Sequence, residues 1–425
     1  MTILADAVLI VGAAVYAYWL YQTAIALGGL AGPRPLPRSD HAVRFAIVVP
    51  AHDEEAVIGP LLESLFAQRY PRDRFDVYVS CDRCTDRTAE IAAHAGARVL
   101  TVPPDRTGGK TANLAYALRT IALDRYDAVA VFDADNLARD EFLARMSDHL
   151  AAHPEVAAVQ GYLDVKNPAD TWVTRVYALS FWYVNRFWQL ARSRLRLSVI
   201  LGGTGEVVRT QLLRDRGFDW ESLTDDLELT CLIVMGGGRV GWEPLAIAYD
   251  EKPTGIQASL RQRERWVRGH YWSLRRFGPR LLARALRTGS PRYLDLLAHL
   301  IVPGRAAVLY AGMFTGYAVA ILAVLLAPAL AADHPLARSA GLFASLATLQ
   351  CMLVLVVAPS IHAGRLTLGY VRDILSFFLY GLIWIPRLLG IAVAPGSDAW
   401  VRTAHTRALT LGDVRAPNER RRGGP

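Results

Sequence analysis

Apolar and polar positions divide this chain into an apolar start, a mixed middle and an apolar end. Residues 7–31 carry no charged side chain, and a helix needs about 20 apolar residues to cross a bilayer. Asp6 precedes this long run, so the pattern predicts an uncleaved anchor rather than a signal peptide. Arg34 and Arg38 follow closely, which places the next domain in the cytoplasm. Residues 306–331, 338–360 and 372–394 are again apolar, with Pro386 and Arg387 interrupting the last. An amphipathic stretch at 291–304 leads into them and suits a membrane surface. Three crossings after a cytoplasmic domain would leave the Arg-rich tail outside, so one of these segments is not a simple span.

The middle stretch alternates strand and helix signals. Phe45–Pro50, Asp76–Asp82, residues 98–102 and Ala128–Phe132 read as short apolar strands. Residues 54–68 and 86–95 read as helices, and Leu114, Ala117, Leu118 and Ile121 recur at helical spacing after Gly109. Strands alternating with helices predict an α/β fold with right-handed crossovers, and Ala128–Phe132 has the continuous apolar run of a buried parallel strand. Ligands of such sheets bind beyond the carboxyl ends of the strands. The expected organisation is an anchor and linker over 1–41, a catalytic domain over 42–280, interfacial and membrane helices over 281–396, and a cytoplasmic basic tail over 397–425.

Composition changes this picture in one respect. The 425 residues have a net charge of +8, yet only 3 of the 47 basic residues are lysine. No nucleic-acid-binding motif accompanies the charge, so nucleic acid is not an expected partner. Four cysteines make no secreted disulfide framework, and Cys81 and Cys84 lack the second pair a zinc site needs. They are expected to pack at a strand end.

Polar clusters close the predicted strands. The first ends in Pro50-Ala51-His52-Asp53-Glu54, the second in Asp82, and the fourth in Asp133-Ala134-Asp135. Asp133 and Asp135, two apart, project to one face and can converge on Mg²⁺ or Mn²⁺. Lys110 in a Gly-Gly-Lys turn suits a phosphate at a helix N-terminus. Thr224 reads as an N-cap with Asp225 and Asp226 in the first turn, a placement that capping alone also explains. Gln262, Arg265 and Trp266 share one helical face and offer an amide, a guanidinium for diphosphate and a flat plate for a sugar ring. The aromatic stretch from Trp172 to Trp188 is expected mainly to be helix core or membrane interface, with an acceptor path as the alternative.

The ordered set resembles the membrane-embedded processive glycosyltransferases of family 2, relatives of cellulose, hyaluronan and poly-N-acetylglucosamine synthases. The resemblance covers about residues 43–278, the flanking apolar segments and the tail Trp400-Val-Arg-Thr403-Ala-His-Thr-Arg407. It rests on DAD at 133–135, QRERW at 262–266 and TDD at 224–226, the last departing from the family's Thr-Glu-Asp at Asp225. It implies a GT-A, Rossmann-like cytoplasmic domain flanked by transmembrane helices, and an inverting transfer from UDP-glucose or UDP-N-acetylglucosamine. Ala51, Asp53, Glu54 and Asp82 would surround the uridine, with Lys110 near the nucleotide. Asp133 and Asp135 would flank a Mg²⁺- or Mn²⁺-bound diphosphate, Asp135 being the direct ligand. Asp226, with Asp225 beside it, would form the catalytic pair, Asp226 as base. Gln262 and Arg265 would contact the diphosphate and Trp266 the acceptor sugar, with Gly203 and Thr204 in the acceptor-side loop.

The leading expectation is polymerisation of a β-linked exopolysaccharide at the inner membrane with export, leaving room for an accessory export or regulatory subunit. A single-addition glycolipid synthase and a non-catalytic membrane scaffold are the alternatives. The expected partners are thus a UDP-sugar donor, a sugar or lipid acceptor, and membrane lipid.

Overall fold

The computed structural model describes residues 16–39, 43–103, 109–217, 220–222, 224–301, 345, 348–364, 374–393 and 407–414. After helix α1 (16–27), the middle of the chain builds one eight-stranded sheet in the order β3-β2-β1-β4-β7-β6-β8-β5. Strands β1 (Phe45–Ala51), β2 (Phe75–Asp82), β3 (Arg98–Val102) and β4 (Ala128–Val131) are parallel. Helices α2 (Ile58–Phe66), α3 (Thr88–His94) and α4 (Lys110–Thr120) connect them.

Continuous apolar runs form β1 and β4 because both faces of the sheet are covered. Phe45, Ile47 and Val49 enter one core, while Ala46 and Val48 enter the other. Ala128 and Ala130 of β4 likewise oppose Val129 and Val131.

The second half of the sheet makes it mixed. β5 (Leu137–Ala138), β6 (Ala158–Val165), β7 (Glu206–Arg209) and β8 (Val240–Asp250) complete it. β7 runs antiparallel to both β4 and β6, while β6 and β8 are parallel with a register shift at Gly161/Tyr162. The polar ends of β1, β2 and β4 therefore face a loop, Gly202–Gly205, that enters β7 from the opposite direction.

Helices α5 (Phe142–Ala152), α6 (Trp172–Tyr183), α7 (Ala191–Arg194), α8 (Thr210–Arg216), α9 (Asp225–Met235), α10 (Ile256–Thr288) and α11 (Pro291–Ile301) follow. A π-helical segment, Val184–Leu190, joins α6 to α7. Within the aromatic stretch, Tyr177, Trp182 and Phe187 are buried against Phe377, Tyr380 and Trp384. These three partners belong to α13 (Ile374–Val393), which follows α12 (Ala358–Ala363).

The expected amphipathic lead-in is α11, with Leu296 and Leu300 buried and Leu294 and Ile301 exposed. Among the expected crossings, 306–331 lies outside the described residues, as do 7–15, most of 338–347 and 372–373. Among the described residues no helix is long and apolar enough to cross a membrane. Residues 400–406 of the tail motif also lie outside them, while Arg407 pairs with Asp170 at 2.6 Å.

Candidate active site

A cleft of about 170 Å³ opens where β1, β2 and β4 end, closed opposite by α9 and the start of α10. Its walls include Ala51, Glu54 and Asp82 from the first two strand ends. Lys110 stands at the start of α4, and Asp133 and Asp135 follow β4. Gly203, Thr204, Asp225, Asp226, Gln262, Arg265 and Trp266 close the other side. Residues far apart in sequence, from Pro50 to Trp266, thus meet in one cleft.

Asp53 alone among the expected site residues is not in these walls. Its backbone is left-handed, with φ of 53°. Its carboxylate turns to the next loop, accepting the Thr85 amide at 2.7 Å and the Asp86 amide at 3.3 Å. The Thr85 amide holds the Asp53 carboxyl below the usual carboxylate range. Asp53 thus ties two strand-end loops together beside the cleft. The same tie explains why α2 starts at Ile58 rather than 54, since the Glu54 amide donates to Thr88 Oγ1 at 2.8 Å.

Lys110 is the electrostatic centre. Its Nζ lies 2.6 Å from Asp133 Oδ1 and donates to the Gly203 carbonyl at 2.6 Å. Burial works to lower its pKa, but Asp133, Asp225 and Asp226 outweigh that and hold it charged, above its usual value. Gly203 must be glycine here, because its φ is +76° and a Cβ would sit 3.3 Å from Asp226 Oδ2. Beneath this turn Glu206 accepts the Gly203 amide at 3.1 Å. Burial, reinforced by Asp226 and Asp225, pushes the Glu206 carboxyl well up.

Asp226 stands in the first turn of α9, where its own Oδ1 accepts the Leu227 amide at 2.8 Å. Burial and the neighbouring Asp225 raise its pKa to about 7, against the opposing pull of that amide, Lys110 and Arg265. A carboxylate of that basicity can take a proton near neutral pH. The loop is seated by Gly269 of α10, where a Cβ would clash with Thr224.

Among the described residues Arg265 makes no side-chain hydrogen bond, so its guanidinium faces the cleft available to an anion. Gln262 is held by the Tyr177 hydroxyl at 3.0 Å, and the Trp266 ring meets Tyr177 edge-on at 6.4 Å. Asp82 is gripped by Arg83 at 2.8 and 2.9 Å and accepts the Gly109 amide at 3.3 Å. Cys81 is buried on β2, and the Cys84 thiol donates to the Ala51 carbonyl at 3.7 Å, as strand-end packing predicts.

Sequence reasoning missed Asn113, Asp250 and Glu251 in the cleft walls and Glu206 below them. Asn113 Nδ2 donates to the Ser80 carbonyl at 2.8 Å, fixing α4 against β2.

A family description, glycosyltransferase-like family 2, matches residues 41–269. The chain belongs to glycosyltransferase family 2. The chain is 28% identical over 241 residues to the probable glycosyltransferase YdaM of Bacillus subtilis, a match covering 55% of this chain and 57% of that protein. It is 29% identical over 266 residues to a beta-monoglucosyldiacylglycerol synthase of Nostoc, covering 60% of this chain and 54% of the other. The chain thus spans about half the length of the curated relatives it matches. Among solved structures, it resembles the mannosyltransferase PcManGT of Pyrobaculum calidifontis, in complex with GDP-Man and Mn²⁺. The TM-score is 0.53 at 23% identity, over 88% of this chain and 96% of that one. That likeness identifies the mixed sheet as the GT-A fold.

The cleft suits a hard divalent cation by its donor set. Asp135 is buried, 3% exposed, at the cleft wall, and Asp133 and Asp250 bring further carboxylate oxygens to the same walls. Mg²⁺ and Mn²⁺ are commonly held by one or two carboxylates with substrate phosphates completing the shell. Asp135 and Asp133 would hold the ion. Among the described residues the group of three possible ligands lies elsewhere, at Asp53, Cys84 and Asp86. Its carboxylates are already occupied by the Thr85, Asp86 and Thr88 amides.

Proposed function

We propose that this chain is an inverting, divalent-cation-dependent glycosyltransferase moving a hexosyl group from a UDP-sugar to a hydroxyl of a lipid-embedded acceptor at the cytoplasmic membrane. A second cavity of about 270 Å³ carries this reading, because it shares Trp266 with the cleft and continues away from it. Phe181, Val267, Val354, Phe377 and Trp384 line it, an apolar surround that suits an acyl or prenyl chain. A membrane location is supported by outward leucines, with Leu20 and Leu27 of α1 50% and 48% exposed and Leu382 of α13 52% exposed.

In this mechanism the acceptor hydroxyl attacks the anomeric carbon as Asp226 takes its proton. The bond to UDP breaks, and its electron pair leaves with the diphosphate. Arg265 meets the charge growing there, and Lys110 balances the carboxylates around the reacting atoms. The divalent cation, when bound, supplies further positive charge beside the diphosphate.

Because Asp226 must be ionised, kcat/KM is expected to rise about tenfold per pH unit up to about 7 and level off above pH 8. A profile flat from pH 5.5 to 8.5 would remove Asp226 as the titrating base.

Aromatic rings in the same cavity, among them Trp19, Tyr183 and Trp188, favour a second reading in which a growing sugar chain threads past Trp266. Full-length protein in nanodiscs, fed radiolabelled UDP-glucose or UDP-N-acetylglucosamine with diacylglycerol or a polyprenyl-linked sugar, separates the two. Label in the organic phase at one sugar per lipid supports the glycolipid reading. Label in a large water-soluble product supports the polymerase, and no transfer from either donor to any acceptor overturns both.

A further inference from the structure

The chain keeps lysine at three positions only, and all three ammonium groups gather at one cleft. Lys110 serves the reacting side. The other two, Lys166 and Lys252, are buried behind Asp250 and Glu251, two cleft carboxylates that the proposed mechanism leaves without a role.

Lys166 directly follows β6, and its side chain is fully buried. Its Nζ donates to the Asp135 carbonyl at 3.0 Å and lies 3.9 Å from Glu251 Oε2. Lys252 pairs with Asp250 and rests its ammonium 4.1 Å from the centre of the Phe181 ring. Asn167 locks the turn by accepting the Lys252 amide at 2.9 Å and donating to its carbonyl at 3.0 Å. Asn136 Nδ2 reaches Asp250 Oδ1 at 3.3 Å, which places this wall directly beside Asp135.

Lysine suits these places because a compact ammonium fits behind a carboxylate where a planar guanidinium would not. Burying one member of such a pair without the other is costly, so each ammonium holds its carboxylate in place. Asp250 and Glu251 line the cleft, whereas Lys166 and Lys252 do not.

We infer that Asp250 and Glu251 are the determinants of the donor sugar, accepting hydrogen bonds from the hydroxyls of a neutral hexose or N-acetylhexosamine. This rests on the proposed UDP-sugar reading and narrows it to a substrate class. A sugar hung from a diphosphate at Asp135 lies next to this wall, and its hydroxyl protons match carboxylate acceptors. A uronic acid presents a carboxylate without a proton to donate, so it meets unpaired and like-charged oxygens there. The wall selects against it. Lys166 and Lys252 act as positioning residues.

The test uses full-length protein in nanodiscs with Mn²⁺, measuring binding of UDP, UDP-glucose, UDP-N-acetylglucosamine and UDP-glucuronate alongside turnover. Wild type is expected to bind a neutral UDP-sugar more tightly than UDP and UDP-glucuronate more weakly than UDP. Glu251→Gln and Asp250→Asn are expected to keep UDP affinity, to raise KM for the neutral donor about tenfold through a lost charged hydrogen bond, and to admit UDP-glucuronate. Lys166→Met is expected to weaken Mn²⁺-dependent UDP binding by loosening Asp135. Unchanged donor KM and unchanged discrimination in both carboxylate variants, with UDP still bound, would overturn the assignment. Wild type that binds no UDP would instead sink the UDP-sugar reading itself.

Discussion

Asp226→Asn is expected to lower kcat by about 10²–10⁴-fold while leaving UDP affinity unchanged. The separation follows from where Asp226 stands. Its Oδ1 accepts the Leu227 amide, a bond the asparagine carbonyl can keep, so the turn of α9 survives the change. The nucleotide end is formed by other residues, from Ala51 and Asp82 to Lys110, and Lys110 remains fixed by Asp133 at 2.6 Å. What disappears is the one group raised to about 7 by burial and by Asp225, and with it the proton acceptor. Single-turnover transfer with a saturating donor, beside UDP titration, checks both halves. Turnover within about tenfold of the parent would take the base role from Asp226. Lost UDP binding would mean that the variant had disturbed the cleft instead.

The largest effect on stability is expected far from the chemistry, at Asp295→Ala. Arg192 is fully buried, and its Nε and Nη2 meet Asp295 Oδ2 and Oδ1 at 2.9 and 2.8 Å. The Tyr21 hydroxyl donates to the same carboxylate, and the guanidinium lies 3.3 Å above the Trp188 ring. One ion pair thereby joins α1, the α6–α7 segment and α11. Removing Asp295 strands a guanidinium that has no route to water, at a cost of about 3–5 kcal/mol. The double variant Arg192→Met, Asp295→Leu removes both charges and is expected to recover most of that loss. Unfolding of detergent-held protein, followed by denaturant titration, measures the difference. A single variant as stable as the parent would show that water reaches Arg192.

How much of this was legible depends on the range of the interactions that decide it. Strands β1, β2 and β4 could be read directly because burial on both faces demands unbroken apolar runs. β7 could not, since four residues, Glu206–Arg209, carry little pattern and pair antiparallel with segments distant in sequence. The motifs at Asp133, Asp226 and Gln262–Trp266 were legible because each clusters its chemistry within a few residues. Asp250 and Glu251 were not, because an acidic pair at a strand end gives no local sign of facing a cleft. The scarcity of lysine was a usable signal, yet only Lys110 stood beside a motif. The seat of Asp53 was not legible either, because nothing local in sequence shows that its left-handed backbone turns the carboxylate toward Thr85.

By itself the sequence determined the α/β class, the alternation of the first four strands, and the residue types a glycosyl transfer requires. Period and spacing are local properties, and a run of apolar positions leaves the chain few alternatives. Only the tertiary structure decided the direction of β7, the seat of Lys110 between Asp133 and Gly203, and the wall of Asp250 and Glu251. Those depend on strand pairing and on charges meeting across long loops, where burial strengthens each contact and the chain order carries no record of which groups will meet.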